Sequence, residues 1–334
     1  MSISVLVIGA GQFARRYLER SLLGARGIAI AGLVEIDAEQ RRRTRALFAE
    51  RRASCPPFFE SISEFRSAGG RADTALIVSP HNLHLPQALE CFAAGMDVLV
   101  EKPMVMTAAD ARRLIRARDR FGRTLVVAFP ANFSPLLQKV RAWVRGGRIG
   151  RVTSTFGWLE EAWRNRNLGT WRQNSALSGG GYLFDTGAHL MNATLELIGE
   201  EVAEVRATFE PTGTPVEVIA NVSGRFHNGI HFSWHVNGHA SGWNSGIRII
   251  GDRGTIETDP WLGSVRLRSE KTGQWGPPVA LKRRPDIWRR FLDVRAGRRE
   301  NPCPAESGLR LARLMDALRR ASASDRTIRL RGNR

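Results

Sequence analysis

Residues 5–18 read VLVIGAGQFARRYL, and the placing of their glycines decides how the first part of the chain is read. An apolar run of strand length, ISVLVIG (3–9), ends on Gly9-x-Gly11-x-x-Ala14, and a helical stretch follows to about residue 23. In that setting Gly9 permits a tight turn, Gly11 lets backbone approach a pyrophosphate, and Ala14 lets helix and strand sit close. The N-terminus of the helix then faces the phosphates. A glycine pattern alone is weak evidence, but here a strand precedes it and a helix follows, the context such a turn requires.

Working outward, a second apolar run, IAIAGLVEI (28–36), carries Glu35 at its end, 24 residues after Gly11. That is close to the spacing of the carboxylate that hydrogen-bonds an adenosine ribose, and a carboxylate there repels a 2′-phosphate, so NAD is expected over NADP. Arg41 to Arg43 follow by six residues and are expected on the next helix. DTALIVS (73–79), DVLVE (97–101) and TLVVAF (124–129) are further apolar runs, separated by the helical stretches LPQALECFAAG and TAADARRLIRARDRFG. Strands that are apolar throughout and alternate with helices imply a parallel sheet covered on both faces. After about residue 150 the pattern changes to one helical segment near 180–199, then strands joined by turns, with HNG (227–229) as a hairpin signal. A long helix near 305–323 follows. The fold class expected is α/β: an N-terminal doubly wound Rossmann domain (1–125), then an α+β domain (126–334) with a mostly antiparallel open sheet.

Composition narrows the function classes. The net charge of +18 suggests nucleic acid. Yet the basic residues are spread along the chain, their clusters border acids and apolar residues, and no zinc-finger or RNA-binding pattern is present, so no nucleic-acid partner is expected. The longest apolar runs are far shorter than a membrane span, and the first residues lack the features of a signal peptide. Three cysteines, far apart, do not make a disulfide framework. A cytoplasmic protein with no membrane partner is expected. The 50 basic residues include only four lysines, and one of them, Lys102, stands directly after a strand-like run and before Pro103. Lysine and arginine are not interchangeable, because an ammonium is compact and a guanidinium planar and bulky.

The stretch ADTALIVSPHNLHLPQALECFAAGMDVLVEKPMVMTAADARRLI (72–115) resembles the core signature of the Gfo/Idh/MocA family, the glucose–fructose oxidoreductase and inositol dehydrogenase group. GTWRQNSALSGGGYLFDTGAHLMN (169–192) and IGDRGTIETD (250–259) resemble the same family. The resemblance implies a Rossmann domain, a substrate-binding open-sheet domain, and homodimers or homotetramers built on that sheet. It implies NAD(P)-dependent oxidation of a secondary hydroxyl of a sugar, inositol or related polyol, or the reverse reduction. Carried over residue by residue, Lys102 matches the active-site lysine near the nicotinamide ribose and the substrate oxygen, and its bond to Pro103 is often cis in relatives. Asp185 and His189 match the acid and base of the Asp-x3-His motif, and residues four apart on a helix share one face. An imidazole can take a proton from a hydroxyl while the carbon gives hydride to NAD. Gly9, Gly11, Gln12, Phe13, Glu35, Ser79, Pro80, His84, Glu101 and Lys102 are the expected cofactor contacts. His84 has a structural reading, at the start of a helix, beside the catalytic one. Asn132, Trp171, Arg172, Asp185 and His189, with Lys102, are the expected substrate contacts. Trp158, Trp163 and Trp171 are candidates to stack on a sugar face, against plain core packing for at least one of them.

Two positions depart from the family pattern. Asn132 stands where many relatives carry Arg, and Asn192 replaces the acid three residues past the histidine. The substrate of a relative therefore does not transfer. His227, His231, His235 and His239 are spaced by four, but four residues of strand span roughly 13 Å, too far to share one ion, so no metal site is expected. Two other activities fit the same resemblance: an NAD-requiring glycosidase and a non-catalytic sugar sensor.

Overall fold

The computed structural model describes residues 2–332. The chain divides into two compact units, the first made of residues up to Val105 with Ala109–Ala128 and Asp286–Gly308, the second of Met106–Ala108, Phe129–Pro285 and the residues from Leu309 on.

In the first unit six strands, β1 (Ile3–Ile8), β2 (Ile28–Val34), β3 (Phe58–Phe59), β4 (Thr74–Ile77), β5 (Asp97–Val100) and β6 (Leu125–Val127), form one sheet in the order β3-β2-β1-β4-β5-β6. All of its pairings are parallel. Val5 to Ile8, Ala75 to Ile77 and Val98 to Val100 have no exposed surface, as continuous apolar strands require when both faces are covered. The order reverses between β1 and β4, and ligands bind at the carboxyl ends of strands beside such a switch point. Residues 286–308 follow the second unit's sheet in sequence yet belong to the first unit. The reason is tertiary: Trp288 and Phe291 are buried, and Arg295 Nε donates to Asp97 Oδ2 at 2.8 Å.

In the second unit nine strands form a sheet: β7 (Val152–Glu160), β8 (Val202–Glu210), β9 (Ile219–Phe226), β10 (His231–Asn237), β11 (Asn244–Gly251), β12 (Gly254–Thr258), β13 (Ser264–Ser269), β14 (Val279–Ala280) and β15 (Ile328–Arg329). Their order is β14-β13-β12-β11-β7-β10-β9-β8-β15, antiparallel except for the parallel pair β7–β10. The HNG turn joins β9 to β10, with Gly229 at φ 87°. The helix Gly187–Ile198 lies against β7, so closely that a Cβ on Gly157 would sit 2.5 Å from Leu190. That contact fixes the helix carrying His189 to the centre of the sheet.

Candidate active site

The two glycines of the turn stand in different surroundings. Gly9 has φ 91°, and a Cβ there would fall 2.9 Å from the backbone of Val78 and Ser79 at the end of β4. No side chain fits. Gly11 is the N-cap of the helix Gln12–Tyr17, and a Cβ there would meet no atom within 4 Å. Packing within the protein does not demand a glycine at that position. No side chain caps the helix amides and no acid stands in its first turn. Unclaimed N–H groups beside open space suit an anionic group such as a dinucleotide pyrophosphate. Gln12 and Phe13 are exposed beside this turn, and Ala14 is fully buried.

Glu35 follows β2 and is held in place by backbone: Oε2 accepts from Ala10 N–H at 2.7 Å and Oε1 from Asp37 N–H at 2.9 Å. Arg41 lies on the next helix (Ala38–Glu50), as expected, but its Nε reaches back to donate to the Glu35 carbonyl. Arg42 and Arg43 instead donate to Glu39.

At the ends of β4 and β5 the residues are tied together through His84. Pro80 is the N-cap of the helix His81–Ala93, and the Ser79 hydroxyl bonds Gln87. His84 has no exposed surface; its Nδ1 lies 2.9 Å from the Pro103 carbonyl oxygen and its Nε2 3.0 Å from that of Ser79. A neutral ring can donate to only one of them. Burial pushes its pKa down, and the two carbonyls oppose that shift. The ring thus braces the turn that contains the cis Lys102–Pro103 bond. Lys102 is 8% exposed. Glu101 joins the same brace, accepting from Tyr17 Oη at 2.9 Å and from Lys102 N–H at 3.1 Å.

In the second unit the run Gly179–Gly181 is forced by contact. Gly179 and Gly180 have φ 79° and 156°, and a Cβ on Gly181 would fall 1.9 Å from the Glu217 carbonyl oxygen. Glu217, 8% exposed, accepts from Gly181 N–H at 2.7 Å through Oε1, and burial pushes its carboxyl up to about 7. This residue lies 36 positions away and has no sequence motif of its own. Asp185 and His189 are not on one helix: Tyr182–Asp185 and Gly187–Ile198 are separate, joined by Thr186. Thr186 keeps helical angles (φ −76°, ψ −37°), so the one-turn relation survives the break.

The Asp185 Oδ2 accepts from Trp163 Nε1 at 2.9 Å and from Arg172 Nε at 3.1 Å. Two of the residues considered for substrate contact are thus engaged by Asp185 itself. Trp163, a candidate for sugar stacking, is 2% exposed and serves the carboxylate, and Arg172 turns to Asp185 with its guanidinium 4.5 Å from the Trp171 ring centre. Trp158 stacks on Phe156 under Arg248, on β7. The His189 ring is half-buried, edge-on to Phe129 (centroids 6.0 Å, 86°) and tilted on Trp261 (5.1 Å, 44°). Trp261 follows directly on the IGDRGTIETD stretch and Pro260, and its loop position was the available signal. The two departures from the family pattern turn out to be partners: Asn192 Nδ2 donates to Asn132 Oδ1 at 2.7 Å, and both are buried. One neutral amide pair occupies both positions. The four spaced histidines are not gathered, and among the described residues no three His, Cys, Asp or Glu side chains form a ligand set.

A parallel sheet with its order reversed at a glycine turn, and a helix start fit for a pyrophosphate, define a dinucleotide-binding α/β protein. Residues 3–129 match the model of the oxidoreductase family with an NAD-binding Rossmann fold, and residues 137–257 that of the GFO/IDH/MocA C-terminal domain. The chain belongs to the Gfo/Idh/MocA family and is an oxidoreductase. An inositol 2-dehydrogenase of Rubrobacter xylanophilus is 25% identical over 280 residues, covering 81% of this chain and 76% of that one. A D-xylose 1-dehydrogenase [NADP(+)] of Haloarcula marismortui is 26% identical over 204 residues, 58% of this chain and 55% of that one. The crystal structure of an aldose–aldose oxidoreductase from Caulobacter crescentus, complexed with glycerol, superposes with a TM-score of 0.80 at 24% identity, covering 99% and 100% of the two chains. Among the described residues no helix is long and apolar enough to cross a membrane.

Proposed function

We propose that the protein is an NAD-dependent dehydrogenase that oxidises a secondary hydroxyl of a sugar, inositol or related polyol, or reduces the corresponding ketone. NAD, when bound, accepts the hydride from the carbinol carbon. The observation that carries the reading is the pairing of a half-exposed imidazole, walled by Phe129 and Trp261, with a carboxylate held by Trp163 and Arg172.

His189 takes the hydroxyl proton, as a neutral imidazole can, and its contacts with Phe129 and Trp261 restrict the ring's orientation. Asp185 orients the substrate. Two donors on one of its oxygens hold the carboxylate in a single rotamer, which is what positioning requires. Lys102 holds the reacting oxygen and polarises the carbonyl, and His84 and Glu101 fix the turn that presents it. Gly9 and Gly11 admit the pyrophosphate. The Glu35 carboxylate, set by two amide donors, accepts the ribose hydroxyl and repels a 2′-phosphate, which supports NAD over NADP. The protein acts on a small molecule in the cytoplasm, as a homodimer or homotetramer, without nucleic acid or membrane.

The test is NADH formation across a panel of sugars and inositols, with NADP in parallel, comparing wild type with His189→Ala. Turnover by wild type and its near-loss in the variant are expected. No turnover of any polyol would remove the dehydrogenase reading, and an equally fast variant would remove the base.

A further inference from the structure

The aromatic wall behind His189 does not stop at Trp261. That indole also packs on Trp243 (centroids 5.1 Å, 41°), so two indoles run in series away from the imidazole. Trp243 is 54% exposed, a large apolar surface for an indole to leave in water. The two indoles, with Ser245, Asp259 and Arg284, line a cavity of about 310 Å³. Small-molecule sites span roughly 300–1,000 Å³, so this space suits a single sugar ring.

The polar groups of the cavity divide by role. Asp259 shapes the loop that presents Trp261: its Oδ1 accepts from Trp261 N–H, and its Oδ2 from Gly263 and Ser264 N–H. Arg284 is exposed, and among the described residues its guanidinium is in no hydrogen bond or ion pair with protein. A cation so placed is available to a ligand. Guanidinium binds carboxylate or phosphate oxygens in bidentate fashion, and an indole face takes the apolar C–H face of a pyranose. The net charge of +18 adds a field that draws anions.

We propose that this cavity is the substrate subsite beyond the reacting carbon and that it selects an acidic sugar. The ring lies on Trp261 and Trp243, and a carboxylate or phosphate substituent lies on Arg284. This rests on His189 being the base, because the aromatic series begins there. It narrows the substrate class from polyols in general to anionic ones.

The test is titration calorimetry with and without NAD, using D-glucuronate and glucose 6-phosphate against D-glucose and myo-inositol. At least one acid should bind about 10-fold more tightly than glucose, and added salt should erode that difference. Arg284→Gln should bring the acid-to-glucose ratio close to one, while Trp261→Ala should weaken acid and neutral sugar together. Whichever acid binds better identifies the substituent as carboxylate or phosphate. The proposal falls if neither acid outbinds glucose, or if Arg284→Gln leaves the ratio intact. Its failure is separable from that of the dehydrogenase reading. Acids that bind with this ratio but are never oxidised keep the subsite and remove the reaction. Neutral polyols oxidised through His189, with acids bound no better, do the opposite.

Discussion

Glu217→Gln tests how the Gly179–Gly181 turn is held, and its effect can be worked out with its sign. The Glu217 carboxyl is buried against Gly181, and burial pushes it from 4.5 up to about 7, with the Gly181 N–H and the Arg319 charge opposing. Below about pH 4.5 both folded and unfolded chains hold this proton, and above about pH 7 neither does. Between the two only the folded chain holds it. Wild-type stability from this group is therefore full at the acid end and lost as pH rises, by about 1.4 kcal/mol per pH unit and about 3 kcal/mol in all. Glutamine keeps an oxygen for the Gly181 N–H and has no proton to lose. Urea unfolding followed by circular dichroism, on both proteins across this window, isolates the effect as wild type minus variant. That difference should swing toward the variant with rising pH. A difference that stays flat would refute the reasoning, since it would mean the carboxyl is ionised in the folded protein throughout. Asp185 follows the turn by four residues, so kcat of the wild type should fall over the same window more than that of the variant.

Lys102→Arg keeps the charge but puts a planar, bulkier head in a space that leaves the lysine 8% exposed; we expect kcat to fall about 100-fold in the NADH assay, with little change in Tm. Asn132→Arg alone buries a charge beside Asn192 and should cost about 3–5 kcal/mol in urea unfolding, with more than half recovered by adding Asn192→Asp. Recovery of nothing would mean that the two positions do not act as a pair. Gly9→Ala should destabilise by about 2 kcal/mol or more, because both its φ of 91° and the Val78 backbone resist a Cβ. Gly11→Ala should leave the melting temperature unchanged and weaken NAD binding by calorimetry at least about 10-fold, since its Cβ meets no protein atom and would stand where the pyrophosphate approaches.

The first unit was legible because its signals are local. Apolar strands alternating with helices, a glycine turn in context and a carboxylate at the end of the second run predict the parallel sheet that is found. The second unit was legible only in part. Its central strand, β7, reads VTSTFGWLE, with Ser, Thr and Gly breaking the apolar run, and its place between β11 and β10 comes from pairings with distant segments. The return of residues 286–308 to the first unit likewise depends on Arg295 meeting Asp97, almost 200 positions away.

The candidate site divides in the same way. The sequence by itself nominated the residues proposed to carry chemistry: Gly9, Gly11 and Glu35 by their type and spacing, and Lys102, Asp185 and His189 by the family motifs they match. Only the tertiary structure decided what each of them faces. It set Trp163 and Arg172 on Asp185, ran Trp261 and Trp243 out from His189, and joined Asn132 to Asn192 across 60 positions. The physical reason is one of range. A turn or a helix face follows from φ, ψ and the period of a few residues, whereas a hydrogen bond or a ring contact needs two groups within a few ångströms. Their separation along the chain says nothing about that, because the packing of whole elements sets it.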